Sequence, residues 1–493
     1  MNFLSVFLVL FLFTTWLLPY PEQTPLRNSN HNSARYIFVF IGDGMGENHI
    51  LATEKYTSQP APYKEWLIGW VSTYPQEGNY DPSRAWSDFN WVQQNLITDS
   101  AAAATALFSG KKTTNGRINV SPDGSLRYKT ITQETHEAGL SVGAVTSVPI
   151  SHATPGAWIA HNASRQNGYA IANEGIWGDP NTTGEVSLPF YGGGYGSTFP
   201  PIDVLIGGGH PDWYLNNPYV DDRIVRKLRS ESDETGKHRF IERIEGQRDG
   251  GMRLLTLAEN ATTRKLVGIF GGSEGNLEYR LADGLGTNPE NPSLAEMTTA
   301  AIRILNRNPN GFILLVEGGA IDFASHQNNL NKVIGEVIDF NKAVQGAVDW
   351  VNDPDSPATW SNTLFLITAD HETGHLTNAP KEFPNHPLGE ISQRTLQLER
   401  NCLTTCLRAS WEDNNANMEI DPGETVHWAW NSISHTNSLV PLYVYGRMPI
   451  AISYFVKGYD PIRGVYIDNT DIYRFLKTAL SFYEFIYLPM IAR

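Results

Sequence analysis

The chain has 493 residues, 41% of them hydrophobic, and its 52 acidic against 37 basic side chains give a net charge of −15. That supports a large core, in one big α/β domain with insertions or in two or more average domains, and it argues against the clustered Lys and Arg footprint of a nucleic-acid binder. If the substrate is an anion, bound metal ions and a local Arg must supply the positive charge.

Residues Phe3 to Leu18 are almost all apolar and run into Pro19, Pro21 and a polar stretch ending at Asn32. Residues 1–34 therefore read as a secretory signal or N-terminal anchor with a polar linker. This implies an exported protein, periplasmic, extracellular or cell-surface, with membrane attachment only if the segment stays uncleaved. The first expected strand is Tyr36 to Ile41, a continuous apolar run buried on both faces. It ends in Gly42-Asp43-Gly44-Met45-Gly46, an Asp between glycines at a strand terminus, where α/β folds place ligands.

Thr98-Asp99-Ser100 opens a run of small residues, Ala101 to Ala106, that reads as a helix. Ser100 would project from the helix N-terminus, where free N–H groups favour a developing alkoxide or a phosphate, while Asp99 and Ser100 also read simply as caps. A polar loop, Lys111 to Leu126, precedes a helix at Thr130 to Ala138 and a strand at Ser141 to Val148. That strand runs into Ser151-His152-Ala153-Thr154-Pro155, and Arg165 follows. The stretch from Ile176 to Pro201 reads as a long surface loop, then Ile202 to Ile206 and Leu266 to Phe270 as short buried strands. Ser293 and Glu296 have capping-box spacing at the head of a helix, Leu294 to Leu305.

The densest stretch follows. The buried strand Phe312 to Val316 runs into Glu317, Asp322 and His326; the last two are four apart, at metal-ligand spacing on a helical turn. Val337, Val344, Val348 and Val351 mark the core stripe of a further helix. The strand Thr363 to Thr368 ends in Asp370-His371, and His435 precedes a strand at Leu439 to Tyr445. Independent turn aspartates and core histidines would not fall repeatedly at strand C-terminal ends, and an open α/β sheet gathers those ends in one crevice. A multi-metal site facing Ser100 is the expectation.

The blocks Gly42-Asp43-Gly44-Met45-Gly46, Asp99-Ser100-Ala101, His152-Ala153-Thr154-Pro155, Val316-Glu317-Gly318 with Asp322 and His326, Ala369-Asp370-His371 and His435-Thr436 resemble the alkaline phosphatases, in order, from about Tyr36 to Phe482. The resemblance implies a three-layer α/β/α sandwich around a mostly parallel sheet, with a catalytic domain at 35–482 and a tail at 483–493. It implies hydrolysis of small phosphate monoesters through a phosphoserine on Ser100, with Arg165 gripping the phosphate oxygens. Two zinc ions and one magnesium per subunit are implied: Asp322, His326 and His435 for the first zinc, Asp43, Asp370 and His371 for the second, and Asp43, Thr154 and Glu317 for magnesium, with His152 acting on it through water. A homodimer is also implied. Phe323 stands where family members commonly carry Lys or His, and the carboxylate of the animal enzymes' calcium site is replaced by Gly271. Related diesterases usually carry Thr, and sulfatases a modified Cys or Ser, at the nucleophile position.

Between Pro380 and Val426 the chain leaves the family's common core. Asp413, Asn415, Asn417, Glu419, Asp421 and Glu424 have the spacing of an EF-hand-type calcium loop, with Met418 where Gly is usual; an acidic, solvated surface loop is the other reading. Cys402 and Cys406 fit either a small disulfide or an unused thiol pair.

Overall fold

The structure, a computed structural model, describes residues 34–94, 96–183, 199–232, 239–447 and 452–480. The expected N-terminal segment, most of the 176–201 loop and the C-terminal tail lie outside the described residues. The strands in chain order begin with β1 (Tyr36–Ile41), β2 (Leu67–Ser72), β3 (Ser141–Pro149), β4 (Val204–Gly208), β5 (Arg239–Glu242), β6 (Leu266–Ile269), β7 (Phe312–Glu317) and β8 (Thr363–Thr368). They continue with β9 (Glu372–Thr373), β10 (Leu376–Thr377), β11 (Glu399–Asn401), β12 (Arg408–Trp411), β13 (Val426–Trp430), β14 (His435–Thr436), β15 (Val440–Gly446), β16 (Gly458–Asp460) and β17 (Gly464–Asp468).

The main sheet runs β16-β17-β2-β15-β8-β1-β7-β3-β4-β6-β5. From β8 to β5 every neighbour is parallel, and β15 is antiparallel to both β8 and β2. All six side chains of β1 are fully buried although alternate ones point to opposite faces, so helices cover both faces of the sheet there. The helix Ser100–Ser109 packs on Ala153–Ile159 and Thr470–Leu480, and Leu294–Leu305 packs on Gly250–Glu259 and Leu330–Asn352. The capping box forms as its spacing requires: Ser293 N–H donates to Glu296 Oε2 at 2.7 Å and Glu296 N–H to Ser293 Oγ at 3.2 Å.

One boundary differs instructively. β4 starts two residues later than expected and continues through Gly207 and Gly208, glycines that read as a strand stop. A Cβ on Gly207 would lie 2.6 Å from Thr146 Cγ2 and one on Gly208 would lie 2.2 Å from the Gly275 carbonyl, so these glycines permit close strand packing.

The stretch from Pro380 to Val426 supplies β11 and β12 to a separate sheet of order β10-β13-β12-β11, whose other strands flank it. Its own small core is Ala409, Trp411 and Ala429 with Ile420, Val426 and the Cys402–Cys406 disulfide packed against it.

The parallel order aims the C-terminal ends of β3, β7, β1 and β8 at one edge of the sheet. β1 is flanked by β7 and β8, and register pairs Ile41 with both Glu317 and Thr368. Asp43, Glu317 and Asp370 therefore emerge side by side.

Candidate metal centre and active site

Asp99 caps the helix Ser100–Ser109: its Oδ1 accepts the Ala102 N–H at 2.9 Å. Capping fixes Ser100 as the first helical residue, with its buried Oγ 3.3 Å from His371 Nε2. The same Asp99 carboxylate takes Arg165 Nη1 at 3.0 Å and the Gly116 N–H at 2.9 Å through Oδ2. The helix N-terminus, the hydroxyl and the guanidinium are thereby joined by one side chain. Arg165 Nη2 meets His152 Nε2 at 3.0 Å. Arg165, Asp99, Ser100, His152, Asp322, His326 and His435 line one open pocket of about 430 Å³.

The helix Ala320–His326 realises the four-residue spacing, putting His326 Nε2 3.2 Å from Asp322 Oδ2. His435 Nε2 is 3.2 Å from His326 Nε2 and 3.6 Å from Asp322 Oδ1. The His371 ring stacks on that of His435 at 3.5 Å, and its Nε2 lies 3.1 Å from Asp370 Oδ2 and 3.5 Å from Asp43 Oδ1. Thr154 Oγ1 is 3.4 Å from Asp43 Oδ2. Three groups bring ligating atoms within 4.8 Å of one another: Asp322, His371 and His435; Asp43, Asp370 and His371; and Asp43, His152 and Glu317. His371 is thus shared by the first two groups, and in the first it stands where His326 was expected. His152, expected to act only through water, lies among the ligating atoms of the third.

The donor set fits cations. Asp43 Oδ1, Asp370 Oδ2, Glu317 Oε1 and His152 Nδ1 are buried without a hydrogen-bond partner, which protein interiors rarely tolerate. Burial, then the charges of Asp370, Asp322 and Glu317, push the Asp43 carboxyl well up, and burial carries Glu317 to about 8. Burial works against the Asp322 anion too, yet the His326 contact and the imidazole charges around it hold its carboxyl well down, while Asp322 carries His326 up to about 9 against its own burial. His435 is pulled down to about 4 by burial and then His371, and His152 to about 3 by burial and then Arg165. Buried carboxylates of this density with neutral imidazoles among them are the preparation a divalent-metal site requires.

The residues that orient these ligands were not legible in the sequence. His326 Nδ1 donates to the Ile433 carbonyl at 2.6 Å and His435 Nδ1 to the Thr98 carbonyl at 2.8 Å, which turns both Nε2 atoms toward the centre. Thr373 Oγ1 donates to Asp322 Oδ1 at 2.5 Å and sits 3.2 Å from His371 Nδ1. Thr146 donates to Glu317 Oε2. All but the Thr373–His371 contact join residues far apart in the chain, and the pairing of β9 with β14 sets His435 opposite Thr373.

The candidate calcium residues are gathered, but their oxygens are engaged. Asn417 N–H and Met418 N–H donate to the two oxygens of Asp413, both at 3.1 Å, and Asn415 and Asn417 amides donate to Asp421 Oδ2 at 2.8 Å. Glu424 accepts the Asn414 N–H at 2.8 Å and the Asp421 N–H at 2.9 Å. Glu419 turns away to Thr404 Oγ1 at 2.6 Å. Met418 adopts φ +63°, the left-handed turn for which Gly is usual.

The family model described as alkaline phosphatase matches residues 34–482. The chain is 29% identical to alkaline phosphatase 4 of Bacillus subtilis strain 168 over 93% of this chain and 92% of that one. It superposes on the Thermus thermophilus alkaline phosphatase with a TM-score of 0.60 at 21% identity, covering 94% of this chain and 95% of that one. A mutant alkaline phosphatase from the Antarctic bacterium TAB5 with Mg bound in its M3 site gives a TM-score of 0.56 at 20% identity, covering 91% and 98%.

Proposed function

The chain belongs to the alkaline phosphatase family and is a metal-dependent hydrolase of phosphate monoesters, and we propose that Ser100 is its nucleophile and Arg165 its phosphate clamp. The observation that carries this reading is the placement of Ser100 Oγ at a capped helix N-terminus, 3.3 Å from His371 and beside the carboxylates whose oxygens lack partners. Asp322, His326 and His435 would hold one zinc, Asp43, Asp370 and His371 a second, and Asp43, Thr154 and Glu317 a magnesium; His152, grouped with Asp43 and Glu317 but with Nε2 accepting from Arg165, would act on the magnesium through water. Imidazole suits zinc and hard oxygen suits magnesium. When bound, such ions supply Lewis acidity that makes a serine hydroxyl ionisable near neutral pH and offset charge on the departing oxygen.

The chain's own groups do the rest. Arg165, its Nη1 held by Asp99 and its Nη2 by His152, offers a planar fork for two non-bridging oxygens and aligns the ester with Ser100. Ser100 Oγ attacks phosphorus as the ester P–O bond breaks, and the alcohol leaves with a proton. Water then attacks the phosphoserine, its P–O bond to Ser100 breaks, and inorganic phosphate and the free serine result. Export, a homodimer, and a structural calcium ion in the 413–424 loop complete the proposal. Sedimentation, fractionation of cells expressing the full chain, and calcium titration of wild type against Glu424→Gln test these in turn.

The test of the catalytic reading is hydrolysis of an aryl phosphate monoester beside the matching diester and sulfate, with zinc and magnesium supplied, for wild type and Ser100→Ala. A monoester preference that collapses in the variant is expected. Preference for the diester or sulfate, or full activity in the variant, overturns it.

A further inference from the structure

Glu399 lies on β11, inside the insertion, and its side chain is only 2% exposed. A carboxylate taken that far out of water needs donors. Three N–H groups supply them. Oε1 accepts Trp430 Nε1 at 2.7 Å and Trp428 Nε1 at 3.1 Å, and the Leu330 N–H reaches Oε2 at 3.1 Å and Oε1 at 3.3 Å. Arg408 Nε stays 3.7 Å from Oε2.

Those donors belong to the two segments that carry His326 and His435. Leu330 opens the helix Leu330–Asn352 and follows His326, the last residue of the helix Ala320–His326, after a short connection. Trp430 ends β13 and leads through Asn431–Ser434 into His435 at the start of β14. Nearer the metal centre the same segments are tied again: Asn328 Nδ2 donates to the Ser325 carbonyl at 3.1 Å and to the Ser432 carbonyl at 2.7 Å. His326 Nδ1 reaches the Ile433 carbonyl of that connection. The arm carrying His371 joins them through Gly374, whose N–H donates to the Ser434 carbonyl at 3.0 Å and whose carbonyl accepts the Asn431 and Ser432 N–H groups at 3.1 and 3.0 Å. Trp430 is seated on this glycine, at φ +92°, where a Cβ would lie 2.5 Å from the indole ring. A carboxylate that fixes the spacing of two backbones also fixes the spacing of the imidazoles they carry.

We propose that the insertion braces the zinc site of Asp322, His326 and His435, with Glu399 as the positioning residue: by holding Leu330 and Trp430 on one carboxylate it sets the two imidazoles at the separation that one ion requires. The inference rests on the reading of those three residues as zinc ligands. With the brace intact, the two segments are ordered before the ion arrives, and binding does not have to order them. Without it, that cost is taken from the affinity of this ion. The carboxylates of the second zinc site, Asp43 and Asp370, follow the central strands β1 and β8, and Glu399 makes no hydrogen bond to either segment. The second site therefore keeps its own support.

The experiment titrates the chelated full chain with buffered zinc and, separately, with cobalt(II), whose visible absorption reports coordination geometry. Wild type is compared with Glu399→Gln, which turns an amide toward the Leu330 N–H, and with Trp430→Phe, which removes the donor at 2.7 Å but keeps a ring against Gly374. Each variant should weaken one zinc site by roughly 10–100-fold, change the cobalt spectrum, and leave the other zinc site within about threefold of wild type. In a His326→Ala background, where that site is already lost, Glu399→Gln should lower zinc affinity no further. Urea melts of the chelated proteins separate positioning from folding, and Trp430→Phe keeps the test open if Glu399→Gln is disrupted. Variants that lose stability while zinc affinities and the cobalt spectrum stay unchanged overturn the brace, as does an equal loss at both sites or a further loss in the His326→Ala background. Wild type that binds no zinc overturns the metal reading itself and takes the brace with it.

Discussion

Asp43→Asn should move the stability of the metal-free and metal-loaded protein in opposite directions. Asp43 belongs to two groups whose ligating atoms lie within 4.8 Å of one another, one containing Asp370 and the other Glu317. At that separation and an effective dielectric of about 20, each like-charge pair costs about 3.5 kcal/mol or more. Offsets come from His371, from Arg165 and from proton uptake by a carboxyl already pushed up by burial and its neighbours. A net charge strain remains in the metal-free fold. The substitution removes the charge while preserving an oxygen that can accept from Thr154 Oγ1, now at 3.4 Å. After exhaustive chelation, the urea midpoint of Asp43→Asn should therefore lie above that of wild type. With zinc and magnesium restored it should lie below, because the proposed ligand to two ions is gone, and turnover should fall by orders of magnitude. A variant less stable than wild type in both states would refute the charge-strain argument.

Arg165→Lys should lower kcat/KM for an aryl monoester by roughly 10–100-fold, since an ammonium keeps the charge but not the two-point fork; steady-state kinetics and phosphate inhibition read it. Thr373→Val should weaken zinc binding by about 10–100-fold, because it removes the hydroxyl that orients Asp322 and His371; metal-buffer titration measures this, and an unchanged affinity would remove Thr373 from the site's support. Away from the site, burial pushes Glu336 from 4.5 up to about 7 despite the nearby Arg280. The folded state therefore holds that proton more tightly, so its stabilising contribution is complete below about 4.5 and lost as pH rises through about 7, to the extent of about 3 kcal/mol. Glu336→Gln should gain stability over wild type above pH 7 in urea melts and flatten the pH dependence across that window; parallel curves would contradict it.

The strands that matter most were legible because they are buried on both faces and so read as unbroken apolar runs. Tyr36 to Ile41, Phe312 to Val316 and Thr363 to Thr368 all lie in the parallel centre of the sheet. The strand-end carboxylates and imidazoles were legible for the same reason: once each strand end is located, parallel pairing dictates that Asp43, Glu317 and Asp370 meet. What pattern reading could not reach is pairing without periodicity. β9 and β14 are two residues each, too short to alternate, yet they align Thr373 with His435. The small sheet of β10 to β13 joins segments on either side of a long insertion, and the Thr146 contact to Glu317 spans 171 positions. Glycine misled once, at Gly207 and Gly208, where close strand approach rather than a turn explains it. The direct grouping of His152 with Asp43 and Glu317 depends on side-chain orientation, which spacing alone does not contain.

The central claim is that Ser100 carries the phosphoryl group, and the most direct measurement is acid quench during turnover of a ³²P-labelled monoester, with the labelled peptide mapped. Wild type should yield acid-stable phosphoserine at Ser100 and Ser100→Ala none. Label on another residue, or undiminished turnover in Ser100→Ala, would contradict the account.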